Sequence, residues 1–333
     1  MTDRQPQQSG EDSLIARYFK PLATDPGAFG LVDDAAILRT SGEDLVVKTD
    51  AIVEGVHFLP DDPPDSVARK ALRVNLSDLA AKGAQPAGFV LTLALRSADD
   101  AWLAPFARAL GEDAGQFGCP LLGGDTVSTP GPAMISIAAL GRVPAGKMVP
   151  RGGAKPGDRV MVTGTIGDAS LGLAVLKGGA PAAALAGDTA ARAMLIARYR
   201  VPQPRNALAA ALREHASAAM DVSDGLAGDF TKLCAASGVS ATIDLPRVPL
   251  STAAAGLVGR GVVSLASLIS AGDDYEIVCT IPEARGPAFV EAARQAGVAV
   301  TPIGTIVRGI EPPRFLDAQG SAVALDHLSY SHF

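Results

Sequence analysis

Cysteine, histidine and tryptophan are scarce in this chain: three, four and one among 333 residues. Cys119, Cys234 and Cys279 lie far apart and form no Cys-x-x-Cys pair, which excludes a disulfide framework and predicts reduced, mostly buried thiols. The histidines lack metal-ligand spacing, so a zinc-type site is excluded as well. Aromatic residues make up 5% and charged residues 19%, with a net charge of −6. No basic stripe interrupts that acidic balance, and a general nucleic-acid surface needs one to neutralise phosphates. The longest strongly apolar stretch, residues 87–95, is too short to cross a bilayer. Residues 1–10 are polar and lack the apolar core of a secretion signal. Together these absences predict a soluble cytoplasmic protein without a nucleic-acid or membrane partner. The phosphate-binding Gly-x-x-x-x-Gly-Lys-Ser/Thr loop, a Gly-x-Gly-x-x-Gly fingerprint after a strand and the protein-kinase signatures are missing too. Any bound phosphate must be held by other means.

What is present is aspartate beside glycine turns and strand ends. The clusters are Asp33-Asp34, Thr49-Asp50, Gly123-Gly124-Asp125-Thr126, Asp221-Val222-Ser223-Asp224-Gly225 and Gly272-Asp273-Asp274-Tyr275-Glu276, with Asp78 as a sixth acidic site. Any one of them reads equally well as a turn, because the Asp side chain bonds its own backbone. As a set they point elsewhere: converging carboxylates repel one another unless cations neutralise them, which favours hard divalent ions.

Hydrophobic residues at 48% predict a packed core, and the length allows two ordinary domains or one large one. Periodicity predicts helices over residues 11–20, 66–82 and 101–117, and strands over 45–49, 89–95 and 133–140. On the helix over 66–82, Ala71, Asn75, Asp78 and Lys82 share one stripe and Leu72, Leu76 and Leu79 another, with Gly83 as terminator. The turn-rich run over 150–158 divides the chain into units 1–150 and 151–333. The second unit repeats the mixed pattern. It has a strand over 159–163, a loop near 178–188, helices over 205–213 and around 229–237, and strands near 276–281 and 298–306 flanking a helix. The reading is α with β throughout, with strand order left open.

Aspartates beside a polyphosphate make sense through metal bridges, since Mg²⁺ takes a few carboxylates plus phosphate oxygens and water. Asp221 and Ser223 share one face of an extended segment, and Gly225 permits a tight turn at Asp224. Gly123 and Gly124 clear side chains from a place where a bulky anion would approach. Gly164 to Asp168 offers backbone N–H groups at a helix start, although a plain strand-to-helix turn reads the same way. Arg151 is placed to reach a phosphate, or is solvated surface. His57 is a substrate contact or a satisfied structural group, and Lys48 lies on the same strand face as Asp50, where an ion pair is its plain structural alternative.

Several strings, in this order along the chain, resemble the thiamine-monophosphate kinase family of the aminoimidazole ribonucleotide synthetase-like superfamily. They are Thr49-Asp50 through Val56-His57-Phe58, Val74-Asn75-Leu76-Ser77-Asp78-Leu79-Ala80, Leu122-Gly123-Gly124-Asp125-Thr126, Asp221-Val222-Ser223-Asp224-Gly225-Leu226 and Gly272-Asp273-Asp274-Tyr275-Glu276. The resemblance implies an α+β fold, with an N-terminal β-rich dimerisation domain, a C-terminal α/β domain and a homodimer. It implies ATP-dependent phosphorylation of thiamine monophosphate by direct in-line transfer, with several Mg²⁺ ions and ATP as co-substrate. Asp34, Thr49, Asp50, Asp78, Asp125, Asp221 and Asp224 look like metal ligands by motif position. Gly124, Asp125, Arg151 and Ser223 look like ATP contacts, and His57, Asp273 and Tyr330 like substrate contacts. No dedicated catalytic side chain is implied. Lys48 departs from the Ser or Thr common at its position, Asp273 stands where Glu also occurs, and His327 stands where an aromatic can occur. Aminoimidazole ribonucleotide synthetase activity and a non-catalytic nucleotide-binding scaffold are the alternatives. Selenophosphate synthetase is disfavoured because the first cysteine is Cys119, and the hydrogenase-maturation relative because the chain ends in His332-Phe333.

Overall fold

A computed structural model describes residues 26–33, 35–39 and 42–330. The helix predicted over 11–20 and the candidate ligand Asp34 lie outside the described residues.

Alternating apolar and polar residues build the first sheet from β1 (Ala36–Arg39), β2 (Glu43–Val53), β3 (Gln85–Leu95), β4 (Leu121–Ser128) and β5 (Met134–Pro144). Their spatial order is β1-β2-β5-β3-β4, antiparallel except for the parallel β3–β4 pair. Two helices, α1 (Pro64–Ala81) and α2 (Asp100–Gln116), cover one face. Leu72, Leu76 and Leu79 of α1 are fully buried in that core, each stabilising by roughly 1.5–3 kcal/mol relative to exposure. Trp102 of α2 stacks on Phe106 at 4.8 Å and is thereby accounted for as packing.

The second sheet, ordered β11-β8-β10-β6-β9-β7, uses β6 (Arg159–Thr163), β7 (Ala218–Val222), β8 (Ser240–Asp244), β9 (Glu276–Ile281), β10 (Val300–Val307) and β11 (Arg314–Leu316). Around it lie α3 (Asp168–Leu176), α4 (Ala180–Ala184), α5 (Thr189–Arg200), α6 (Ala209–His215), α7 (Leu226–Ser237), α8 (Thr252–Gly259), α9 (Leu265–Ile269) and α10 (Gly286–Gln295). Apolar cores lie on both sides of this sheet. The fold class is α+β, as the resemblance implied.

Helix α1 joins the two sheets. Its end residues Ala80 and Ala81 belong to the same core as Ala219 and Ile277 of the second sheet. The Lys82 ammonium at its C-terminus donates to the Ala219 carbonyl at 2.8 Å. Gly83 follows with φ +68°, the left-handed conformation that stops the helix as predicted.

The structure corrects several elements. Asp50 lies inside β2, not at the end of a strand finishing at Thr49, because pairing with β5 continues to Val53. Residues 121–128, read only as a glycine turn leading to Asp125, form strand β4. The loop near 178–188 contains the short helix α4, entered through Pro181 at its first turn, a position where Pro costs no hydrogen bond. The helix over 205–213 begins instead as a single 3-10 turn at Asn206–Leu208 and runs as α6 to His215. No helix among the described residues is long and apolar enough to cross a membrane. All three cysteines are buried free thiols, and burial pushes them up, Cys119 to about 11 and Cys234 and Cys279 to about 12.

Candidate active site

Strand alternation decides which way each residue of Lys48-Thr49-Asp50 points. Asp50 shares its row across the sheet with Ile137 and Leu91, both buried under the helices. Lys48 and Asp50 therefore face α1, and Thr49 faces the opposite, helix-free side, where its hydroxyl donates to the Ile137 carbonyl at 3.0 Å. The polar stripe of α1 meets this face. Asn75 accepts from the Asp50 backbone N–H at 3.0 Å and donates to the Ala71 carbonyl one turn back. Asp78, one turn further on, receives the Lys48 ammonium at 3.0 Å, and Asp50 receives it at 3.2 Å.

The third carboxylate comes from β7. Asp221 is 3% exposed, and its Oδ2 has no hydrogen-bond partner among the described residues. Burial first of all pushes Asp221 up to about 6; the Lys48 charge opposes that rise and Asp229 adds to it. Asp78 is raised well above the usual carboxylate range by burial and then by Asp221, against the pull of Lys48. Burial tends to lower Lys48, but the charges of Asp78, Asp50 and Asp221 outweigh it and hold the lysine above its ordinary value. Tyr275 is raised likewise, by burial and then by the carboxylates around it.

The turn after β7 has its own internal acceptor. One oxygen of Asp229, on α7, takes the backbone N–H groups of Ser223, Asp224 and Gly225 at 3.0, 2.9 and 3.2 Å. Lys232, one turn along α7, reaches Asp224 at 2.8 Å and Asp229 at 3.3 Å. Burial pushes Asp229 up to about 6, with Lys232 opposing and Asp224 reinforcing. The loop carrying Asp273 docks on this turn: the Asp273 N–H donates to the Ser223 carbonyl at 2.7 Å. A side chain at Gly272 would collide with that same carbonyl, so only glycine allows the approach. The backbone N–H of Tyr330 reaches the Asp224 carbonyl at 3.0 Å, bringing the chain's tail to the same turn.

Asp273 has φ +74° and accepts from the buried Lys70 ammonium at 3.2 Å. Lys70 also donates to the His57 carbonyl at 2.8 Å and lies 3.9 Å from the centre of the Tyr199 ring. The His57 ring accepts the Val53 N–H on Nδ1 at 3.1 Å, closing its own turn. Three predicted substrate contacts are therefore tied to neighbouring elements, His57 and Asp273 through one lysine and Tyr330 through Asp224. Arg151 bonds the Asp33 carboxylate through its backbone N–H at 2.8 Å and the Val32 carbonyl through its guanidinium at 3.2 Å. Asp33 also receives Lys82 at 2.9 Å. Asp274 accepts from Gly167 at 2.7 Å and from Ala169 at 3.3 Å, capping α3. Burial pushes it up to about 8 against those bonds. Asp274 thus caps α3, and Asp33 ties its segment to Arg151 and Lys82.

Gly124 and Asp125 stand apart from this gathering. Asp125 pairs with Thr92, on the row that also holds Ala51 and Ser136, so it shares the helix-free face with Thr49. It is exposed and accepts from the neighbouring Thr126 N–H at 2.8 Å. Gly124 is explained by packing instead of open space: a side chain there would strike the Leu91 carbonyl of β3. A hollow of about 290 Å³ lies beside Gly123, Gly124 and Asp125. A separate cleft of about 900 Å³ includes Arg198, Arg205, Ser251 and, from the turn over 164–168, Thr165 and Asp168, but none of the metal, nucleotide or substrate residues that the resemblance implies. Its two arginines converge on the buried Glu276.

Lys70, Asn75, Tyr199, Asp229 and Lys232 escaped sequence reasoning as site residues. Asn75 shares the α1 stripe with Asp78, which is the signal for it. Asp229 and Lys232 were visible only as helix residues, and nothing local linked Lys70 to a loop two hundred residues away.

Residues 32–143 match the family model of the AIR synthase related protein N-terminal domain, and residues 155–311 that of its C-terminal domain. A thiamine-monophosphate kinase from Caulobacter vibrioides is 48% identical over 301 residues, 89% of this chain and 83% of that one. The crystal structure of a thiamine-monophosphate kinase from Stenotrophomonas maltophilia K279a aligns with TM-score 0.77 at 36% identity, over 91% of this chain and 94% of that one. A structure of AaThiL complexed with AMPPCP and TMP aligns with TM-score 0.79 at 28% identity, over 92% and 97%. The motifs that meet at Asp50, Asp78 and Asp221 and these likenesses agree: the chain belongs to the thiamine-monophosphate kinase family.

Proposed function

We propose that this protein transfers the γ-phosphoryl group of ATP to thiamine monophosphate, forming thiamine diphosphate and ADP. The observation that carries the reading is the convergence of the partly exposed Asp50 with the buried Asp78 and Asp221 between the two sheets. The named relatives and the AaThiL complex with an ATP analogue and TMP supply the substrates.

The donor set fits a hard divalent ion. It consists of carboxylate oxygens, and Asp221 presents a buried oxygen without a hydrogen-bond partner among the described residues. Among those residues no three acidic, histidine or cysteine side chains form a ready-made metal cage. Mg²⁺ completes its shell with water and with phosphate oxygens, which the nucleotide would bring. Asp50, Asp78 and Asp221 are the proposed protein ligands, with Asp224 beside them. Bound Mg²⁺ supplies neutralisation of the phosphate charge, which otherwise opposes the meeting of two polyanions.

The protein's own groups do the positioning. The acceptor is a phosphate monoester, largely ionised at neutral pH, so no side chain has to remove a proton. Consistent with that, His57 Nδ1 is already engaged by the Val53 N–H. Asp229 fixes the Ser223-Asp224-Gly225 turn, and Lys70 fixes the Asp273 loop, so the groups that flank the cluster are set before substrate arrives. We read the transfer as in-line and direct, without a phosphoenzyme; radiolabel from γ-labelled ATP staying on denatured protein would contradict that.

A homodimer formed through the helix-free face of the first sheet belongs to the same reading. All eight residues of β4 are exposed, including Leu121, Leu122 and Val127, and an unpaired apolar edge invites a second copy. Thr49 and Asp125 lie on that face, so their proposed part in metal and nucleotide binding belongs to the assembled pair. The free, buried thiols suit the reducing cytoplasm. The decisive assay is ADP release from ATP. It should require both thiamine monophosphate and Mg²⁺, whereas slow hydrolysis indifferent to thiamine phosphates would reject the reading.

A further inference from the structure

The Lys48 ammonium stands 3.0 Å from Asp78 and 3.2 Å from Asp50, and it also faces Asp221. The neighbouring lysines are committed elsewhere: Lys70 to Asp273, Lys82 to Asp33 and Lys232 to Asp224 and Asp229. Among the described residues, Lys48 is the cation in contact with this cluster. It is no surface pair, because its side chain is 17% exposed and that of Asp78 is 5%. The β2 alternation that points Asp50 at α1 points Lys48 there too, so the chain builds the positive charge into the place where the carboxylates meet.

We propose that Lys48 is a resident cation of the Asp50–Asp78–Asp221 cluster, taking the position of a free divalent ion, so that divalent metal enters tightly only together with nucleotide phosphate. The Lys48 ammonium offsets part of the cluster's negative charge through its contacts with Asp50 and Asp78, and it repels a divalent ion at close range. A nucleotide changes the balance by adding phosphate oxygens as ligands and negative charge of its own. The cluster is then held together in the resting protein without metal, and the metal's arrival is coupled to substrate. The inference rests on the proposed kinase reading for its metal site, but its test does not depend on turnover.

The test is a titration of the metal-free, full-length protein with Mn²⁺, followed by electron paramagnetic resonance without nucleotide. Lys48→Met and Lys48→Gln remove the charge, and Lys48→Arg keeps it. The neutral variants should bind free Mn²⁺ at least about tenfold more tightly than the wild type. Their metal-free melting temperature should drop and recover on adding Mn²⁺, and Lys48→Arg should stay close to the wild type in both. With AMPPCP present, the affinity gap between wild type and neutral variants should shrink. Neutral variants that bind Mn²⁺ no more tightly than the wild type would overturn the proposal, as would Lys48→Arg behaving like them. Two neutral substitutions guard against one failing to fold. If the wild type never turns over thiamine monophosphate, the kinase reading fails while the Mn²⁺ comparison remains readable.

Discussion

The two faces of the first sheet carry their acids under opposite conditions. On the covered face, Asp50 meets Asp78 and Asp221 between sheet and helix, with Lys48 drawn among them. On the open face, Asp125 sits in water and bonds only its neighbour's N–H in the described contacts. Of these, Asp78 and Asp221 resist ionisation, Asp221 being pushed up to about 6 by burial. That resistance is a standing cost to the metal-free protein, and a bound cation relieves it. The open-face carboxylate is exposed, and its proposed function depends on what docks against it. One motif set therefore holds two kinds of acid, distinguishable by how the protein responds when each is neutralised.

The largest expected effects test that contrast directly. Asp78→Asn and Asp125→Asn should each lower turnover by on the order of a hundredfold to a thousandfold or more, by removing charge that positions the transferred group. Their melting curves without metal should differ. Asp78→Asn should melt at or above the wild type, since it removes a repelled, buried charge, and Asp125→Asn should be unchanged. A clear loss of stability in Asp78→Asn would break the comparison.

Next in size is Asp229→Ala. It leaves three backbone N–H groups at the β7 turn without their acceptor, and should cost about 1–3 kcal/mol or more in urea unfolding. Turnover should fall with it, because Asp224 loses its fixed position.

A smaller effect concerns pH. Burial pushes Asp221 and Asp229 up to about 6 and Asp274 up to about 8, above the ordinary carboxylate value. A folded pKa above the unfolded one gives stability that is complete below the unfolded value and is lost as pH rises through the folded value. Metal-free protein should therefore weaken between pH 5 and 9 in urea titrations. Asp274→Asn should flatten the upper part of that slope, and Mg²⁺ with AMPPCP should flatten the lower part. The smallest effect on folding belongs to the open edge. Val127→Asp on β4 should leave the melting temperature nearly unchanged while converting a dimer to a monomer in light scattering after size exclusion.

Much of this organisation was legible beforehand, and the reasons are local. The period of α1 placed Asn75, Asp78 and Lys82 on one stripe, and that stripe meets Asp50, Lys48 and Asp33. The i, i+2 relation of Lys48 and Asp50 puts both on one strand face, where they pair. Strand β4 was missed because two glycines and an aspartate read as a turn, whereas its extended form is imposed by pairing with β3. The capping role of Asp229 was also hidden, since it depends on the fold of the turn five residues earlier. Most obscure was Lys70, whose partners Asp273, His57 and Tyr199 come together only when the two sheets pack. Periodicity reveals which residues share a face, but not what that face meets.

The most direct measurement is the melting of Asp221→Asn beside the wild type, each metal-free and again with AMPPCP and saturating Mg²⁺. The wild type should gain stability from the ligands, as any group that binds only the folded state confers. Asp221→Asn should start at or above the wild type and gain much less. An Asp221→Asn protein that starts lower and rises as far as the wild type would show that the buried cluster is structural and that the metal binds elsewhere.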